Sequence, residues 1–355
     1  MTTLNEVALL RIAAQRLAGE PHKTPADAVR WATCTQAQDL PGALVSVGLR
    51  TSNRSLADVH AALDDGSVVR SWPMRGTLHF LAAEDLRWLL AIGPLRVANA
   101  AAKRRKDLGL RDRDVEKVAQ ATVDALRGGG RIARDALMSV WQDAGVSTEG
   151  QRGAHLFGKL ATDGLVCLGP MAGRRQDVVL VDEWVPAAPV PDRDEAIARW
   201  ALRYFRSHGP ATVEDFAWWT GLTKTDARAG HAAVADELEN LDVDGATMWL
   251  DPATPELLAG ARTAARGVLL LPGFDELVLG YGDRSAVLPP DFSDHVVPGG
   301  NGMFLATVVV AGRAVGTWRR PASPTGAPTV TPFRTLPRAA AAAVPKLWAT
   351  YPRPA

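Results

Sequence analysis

EGQRGAHLFGKLATDGLVCLGPMAGRRQDVVLVDEW, residues 149–184, holds a complete structural sentence. Its first part predicts a helix over Glu149 to Asp163, with Gly164 as the stop. LVCL and VVLVDEW then flank GPMAGRRQD, a turn with the length and polarity of a wing tip, bearing Arg174 and Arg175. A helix delivered into a two-stranded wing describes a winged helix.

The same order extends in both directions. Upstream, helices are predicted over Val115 to Leu126 and Asp135 to Ala144, following a long helical stretch with the basic cluster Lys103, Arg104, Arg105 and Lys106. Further upstream, Leu4 to Leu17 reads as a helix. Thr24-Pro25-Ala26-Asp27 starts another with a capping residue, a proline at the first helical position and an early acid. Leu40 to Leu49 supplies a third, and SVVRSW with RGTLHFL, from Ser67 to Leu81, reads as a hairpin joined through Pro73. Downstream of the Pro-rich joint Val185 to Pro191, helices fit Arg193 to His208, Thr212 to Thr220 and Thr225 to Glu239, before the strand-turn-strand ENLDVDGATMWLD.

The remainder differs. VLLLPGFDELVLGY, SAVLPP, MFLATVVV and AVGTWRR are β-type runs broken by Gly282, the turn Pro298 to Gly302 and the hairpin Ala311-Gly312. They predict a small antiparallel sheet or partial barrel, closed by an Ala-rich helix from Arg338 to Thr350. The expected class is α+β: three tandem winged-helix units and a C-terminal antiparallel β element. The segments are 1–110, 111–191 with the linker, 192–266 and 267–355.

Composition admits this and narrows the function. A chain of 355 residues suits two or three domains, and 47% apolar with 22% charged residues is an ordinary globular balance. A net charge of +1 gives no global basic signal, so any nucleic-acid surface must come from local segregation of arginines. Cys34 and Cys167 stand far apart without histidines at ligand spacing, which suggests neither a disulfide framework nor a metal site. The amphipathic N-terminus, interrupted by Asn5, Glu6, Arg11 and Arg16, is unlike a signal peptide, and no apolar run reaches spanning length. The expectation is a cytoplasmic protein with no membrane partner.

Three winged helices argue for duplex DNA, although such units also serve as protein-interaction modules. Familiar enzyme signatures are poor. Gly128-Gly129-Gly130 precedes no P-loop lysine, and no nucleophile elbow, HExxH or cysteine-rich constellation occurs. His79 on the wing strand reads as a packed or DNA-facing residue. Asp275-Glu276 could form an acid–base pair, but neighbours on a strand point to opposite faces, which favours a structural role. No cofactor is called for.

One short motif resists these exclusions: Gln36-Ala37-Gln38, just before Asp39 and Pro41. On a helix, residues i and i+2 diverge; in an extended connection they emerge on one side. With Asp39 available as a cap and Pro41 early in the next helix, the two amides fall in the connection, where they can converge. Primary amides donate and accept but carry no titratable proton. Such a pair can orient a water or a sugar; the bland alternative is that it satisfies backbone groups of the turn.

TQAQD at Thr35 to Asp39, MRGTLH at Met74 to His79, LLPGFDELVLGYGDRSAVL at Leu270 to Leu288, and VVPGGNGMF followed by GTWRR up to Arg320 make the chain resemble the bacterial winged-helix DNA glycosylase superfamily that includes AlkZ and YcaQ. These blocks run in the family's order over nearly the whole chain, and Gln-apolar-Gln is similar to the AlkZ-like branch. The resemblance implies a C-shaped fold around a DNA channel. It implies a monofunctional glycosylase that removes bulky N7-alkylated purines and unhooks interstrand crosslinks, in repair or in self-resistance to a genotoxic natural product. It assigns catalysis to Gln36 and Gln38. An N7-alkylated guanine already carries positive charge and needs no acid to protonate the leaving base. DNA-binding candidates are Arg75, His79, Arg174, Arg175, Arg284, Asn301 and Arg319, the partner being double-stranded DNA. The chain is expected to act as a monomer associated with the nucleoid. The competing expectation is a non-catalytic winged-helix regulator or adduct-sequestering protein.

Overall fold

A computed structural model describes residues 2–93, 95–321, 323 and 326–352, with the backbone alone for 95 and 96. The fold is mixed, with helices and antiparallel sheets. Contacts divide the chain into two compact units. The first takes the chain up to Val59, Ile197–Trp219 and everything from Thr223; the second takes His60–Ala196 and Thr220–Leu222. Among the described residues no helix is long and apolar enough to cross a membrane.

The second unit contains the opening stretch. Its helices are Asp112–Leu126, Arg134–Asp143 and Arg152–Thr162, and its strands Val166–Ala172 and Arg175–Leu180. The helix Arg152–Thr162 starts three residues later than predicted, and Gly164 at φ +77° lets the chain leave it. Leu137, Trp141, Leu156, Phe157, Val166 and Val178 form its dry centre. Each such side chain contributes about 1.5–3 kcal/mol by leaving water. The one polar group of Trp141 is met there, its Nε1 donating to Thr122 Oγ1 at 2.8 Å.

The two hairpins are not separate. Thr77–Ala82, Val68–Met74, Val166–Ala172 and Arg175–Leu180 lie side by side in that order, every neighbouring pair antiparallel. Pro73 is not the hairpin turn. It lies inside the strand Val68–Met74, where the register shifts between Ser71 and Met74 because proline has no N–H for the ladder. The turn is Arg75-Gly76, with φ +53° and +69°, the double left-handed geometry that matches strand twist in a two-residue hairpin. The N–H groups of Gly128 and Gly129 donate to the Glu183 carboxylate at 3.1 and 2.6 Å, so the glycine run is a helix exit holding a side chain.

In the first unit the opening helix is Leu4–Ala14, shorter than predicted. Arg16 takes φ +55°, and Leu17 N donates to Ile12 O while Arg16 N donates to Ala13 O, both at 3.0 Å. This is the closure usually made with glycine, here carried by arginine, so composition did not announce it. Helices Pro25–Ala32, Leu40–Leu49, Arg193–His208 and Val213–Thr220 follow the prediction within a residue or two. Thr212 caps the last of these, exchanging hydrogen bonds with Asp215 at 3.0 and 3.1 Å. The helix predicted over Thr225 to Glu239 is Lys224–Ala232, capped by Thr223, with a tight turn at Ala235–Glu237 before the strands Glu239–Val243 and Ala246–Leu250. Helices Leu56–Asp64 and Thr254–Ala265 were not foreseen.

Among the described residues the C-terminal element is an open sheet. Its strands Val268–Leu271, Thr307–Val310, Arg313–Arg319 and Thr329–Pro332 are neighbours in chain order. Only Val268–Leu271 of the first β-type run is a strand; Glu276–Leu279 is a short helix capped by Asp275, whose Oδ1 accepts from Leu277 N at 3.0 Å. The closing helix is Arg338–Ala349.

Candidate active site

The helix Pro25–Ala32 ends in a forced turn. Thr33 sits at φ +65°, ψ −52°, and Cys34 N donates back to Ala32 O at 2.8 Å, a three-residue γ-turn that a β-branched residue enters only under strain. The Thr33 hydroxyl is buried and finds no hydrogen-bond partner among the described residues. The turn delivers the two-residue strand Thr35–Gln36, then Ala37, Gln38 and Asp39, and the helix Leu40–Leu49. The two glutamines therefore lie in the connection, as the spacing predicts, but in unlike surroundings. Gln36 is 6% exposed while Gln38 stands in solvent. Gln36 Oε1 accepts from Gln38 N at 3.2 Å, so its carbonyl satisfies a turn donor. Asp39 occupies the N-cap position with no side-chain cap hydrogen bond, contrary to expectation. Gly42 keeps room for it: a Cβ there would meet Asp39 Oδ2 at 2.5 Å and Gly273 O at 3.2 Å.

Behind this connection lies a buried polar network. Gln36 N donates to Glu276 Oε1 at 2.9 Å, and Trp219 Nε1 donates to Glu276 Oε2 at 3.0 Å. His208 Nε2 lies 3.5 Å from the same oxygen. Burial pushes the His208 pKa down, opposed by the hydrogen bond and charge of Glu276. Asp275 faces the other way. Its carboxylate takes both terminal nitrogens of Arg50, at 2.9 and 3.0 Å, and the hydroxyl of Ser46 at 2.7 Å. Arg50 donates on to Gln15 Oε1 at 2.7 Å, Gln15 Nε2 to the Tyr281 hydroxyl at 2.9 Å, and that hydroxyl to His208 O at 2.8 Å. The desolvation of Arg50 is outweighed by Asp275, which holds its pKa above the ordinary value. The acid pair is thus divided, as neighbours on a strand would be, although these residues sit at a helix start.

The DNA-binding candidates separate by unit. Arg284, Asn301 and Arg319 belong to the first. The Arg284 guanidinium lies 4.9 Å from the Trp218 ring centre and 5.0 Å from that of Phe304, and its Nε donates to Val278 O at 3.2 Å. Asn301 Oδ1 accepts from Met303 N at 2.8 Å, the turn-forming role. Arg319 is exposed at a strand end. Around the Arg284 stack are three exposed large apolar side chains: Trp218 at 39%, Met303 at 54% and Leu305 at 40%. Phe304 joins this patch to the glutamine connection, since its carbonyl abuts Gly273, which abuts Gly42.

Arg75, His79, Arg174 and Arg175 belong to the second unit. His79 is fully buried, its Nδ1 2.9 Å from Thr77 O, and its ring presents nothing to a DNA surface. That candidate is corrected to a packed residue. Arg174 is exposed at the turn Gly173-Arg174, and Arg175 pairs with Asp135 at 3.1 Å across exposed surface. Because Val68–Met74 and Val166–Ala172 run antiparallel, with Arg70 opposite Leu168, the tips at Arg75 and Arg174 point to opposite ends of the sheet. Five residues on one strand and six on the other, at about 3.3 Å per residue, put them roughly 36 Å apart. Topology does not bring them together.

Sequence reasoning missed Thr33, Trp219 and His208, which carry no local pattern, and misread Glu276. A signal for Glu276 was present in PGFDEL, where Asp followed by an apolar run at helical spacing is also a helix start.

The family model described as DNA glycosylase AlkZ-like matches residues 29–351. The chain belongs to that family, and it is an enzyme of the DNA glycosylase class. Among its relatives is an interstrand DNA cross-link repair glycosylase of Streptomyces sahachiroi, 29% identical over 320 residues that cover 86% of this chain and 85% of the relative. The solved structure of the Streptomyces sahachiroi DNA glycosylase AlkZ is similar over 99% of this chain and 98% of its own, with a TM-score of 0.79 at 26% identity.

Proposed function

We propose that the chain hydrolyses the N-glycosidic bond of bulky N7-alkylated purines in double-stranded DNA and unhooks interstrand crosslinks made through the same position. The observation that carries this reading is the placement of Gln36 and Gln38 in one rigid connection. N7-alkylation leaves the base cationic, so its departure requires no proton. What remains for the protein is to hold a water near C1′ and to stabilise positive charge developing on the sugar. Two oriented amide dipoles suit that task. An unmodified base, which must be protonated to leave, gains little from them.

The exposed Trp218, Met303 and Leu305, beside the Arg284 stack, support a large apolar lesion that stays partly in the duplex. On this reading the three winged-helix segments grip duplex DNA through Arg75, Arg174, Arg175, Arg284 and Arg319. The chain works as a cytoplasmic monomer, in repair or in self-resistance. A second reading, in which the glutamine pair is structural and other groups of the enzyme carry base release, draws on the Gln36–Gln38 hydrogen bond, since a purely structural pair would also make it.

Base release separates the two. A duplex with a single N7-alkylguanine, incubated with wild type, Gln36→Ala and Gln38→Ala, should yield alkali-cleavable abasic sites with wild type. Loss of either amide should slow release by about a hundredfold. Release by all three proteins at the wild-type rate would establish the second reading, and no release from any would remove N7-alkylguanine as the substrate.

A further inference from the structure

We infer that Glu276 is a positioning residue for Gln36, fixing the peptide from which that amide projects; this rests on the catalytic reading of Gln36. The segment from Gln36 to Arg50 carries the strand, both glutamines and the following helix. Its two ends are tied to consecutive residues. Glu276 takes the main-chain N–H of Gln36 at 2.9 Å, and Asp275 takes Ser46 and Arg50 at the far end of the helix. The clamp is itself rigid. Glu276 is 2% exposed, and its second oxygen accepts from Trp219, a fully buried indole packed against the rings of Trp200, Tyr204 and His208.

The main chain at Gln36 therefore cannot shift without breaking a buried hydrogen bond to a carboxylate and leaving a buried N–H unmatched, which is costly. The side chain inherits that fixity. Gln36 Oε1 already accepts from Gln38 N, so the peptide and the amide carbonyl are both located, and the second lone pair of that oxygen can still accept from a water. Displacement of a reacting group by about 1 Å can cost around a hundredfold in rate. Glu276 touches neither sugar nor water on this account; it acts through the Gln36 backbone.

The test compares Glu276→Gln, Trp219→Phe and the double variant for single-turnover release from an N7-alkylguanine duplex and for affinity toward the same duplex. Glutamine keeps an acceptor for Gln36 N–H but turns an NH₂ toward the Trp219 N–H, and Trp219→Phe removes that clash of donors. Glu276→Gln alone should lower the rate by roughly ten- to a hundredfold with affinity changed by less than about threefold. Adding Trp219→Phe should restore the rate to within about threefold of Trp219→Phe alone. An unimpaired Glu276→Gln, no recovery in the double variant, or rate and affinity falling by the same factor would overturn the inference. No release by wild type would instead overturn the N7-alkylpurine reading and take the role of Glu276 with it.

Discussion

Thr33 carries a cost that its neighbours impose. A β-branched residue in the γ-turn conformation is strained by about 1–3 kcal/mol, and its buried hydroxyl finds no partner among the described residues. Glycine would remove both penalties while adding about 0.4–1 kcal/mol of unfolded-chain entropy, so the strain term wins. Thr33→Gly should raise stability by about 1 kcal/mol in denaturant melts and slow base release severalfold by loosening the approach to Gln36. A destabilised Thr33→Gly would show that the turn is not strained in solution. Asp275 behaves oppositely: Asp275→Ala leaves the Arg50 guanidinium buried without its counter-charge and should cost about 3–5 kcal/mol. The glutamine pair was legible because i and i+2 have a distinct meaning off a helix. The carboxylate behind it was not, because its partner lies 240 residues away in sequence and no local pattern carries such a contact.

At the scale of elements, the hairpins were legible and their assembly was not. Hairpin signals are local, whereas the pairing of Val68–Met74 with Val166–Ala172 is a long-range event that periodicity cannot report. The helix ends were misplaced where an unexpected residue takes a left-handed conformation, Arg16 being the clear case. The merged sheet makes the wing arginines separable by experiment. Arg174, exposed at its tip, should weaken duplex binding as alanine and lower the slope of log affinity against log salt by about one. His79→Ala, deep in the sheet, should leave that slope unchanged and destabilise the fold by about 1–3 kcal/mol. Equal salt slopes for Arg174→Ala and wild type would remove that tip from the interface.

The whole molecule has a net charge of +1, so its acid stability is set by particular groups. Burial and the nearby Arg16 lower the His22 pKa to about 4, and burial lowers that of His208. His22 stays neutral in the fold down to about pH 4 but charges in the unfolded chain at about pH 6.5, so the unfolded state binds more protons in between, and the lowered pKa of His208 acts in the same direction. Stability is therefore complete above about pH 6.5 and drains as pH falls toward 4. Denaturant midpoints at about pH 7.5 and 5 should show the drop, and His22→Gln should reduce it.

That window leaves neutral pH free for the measurement that bears most directly on the chemistry. Catalysis by two amides on a base already charged uses no titrating acid or base. The single-turnover rate of base release from an N7-alkylguanine duplex should therefore be flat from about pH 6.5 to 8.5 in wild type and fall at every pH in Gln36→Ala. A rate that changes about tenfold per pH unit, or a bell-shaped profile, would mean that a proton moves in the transition state and that the glutamine pair is not the engine of the reaction.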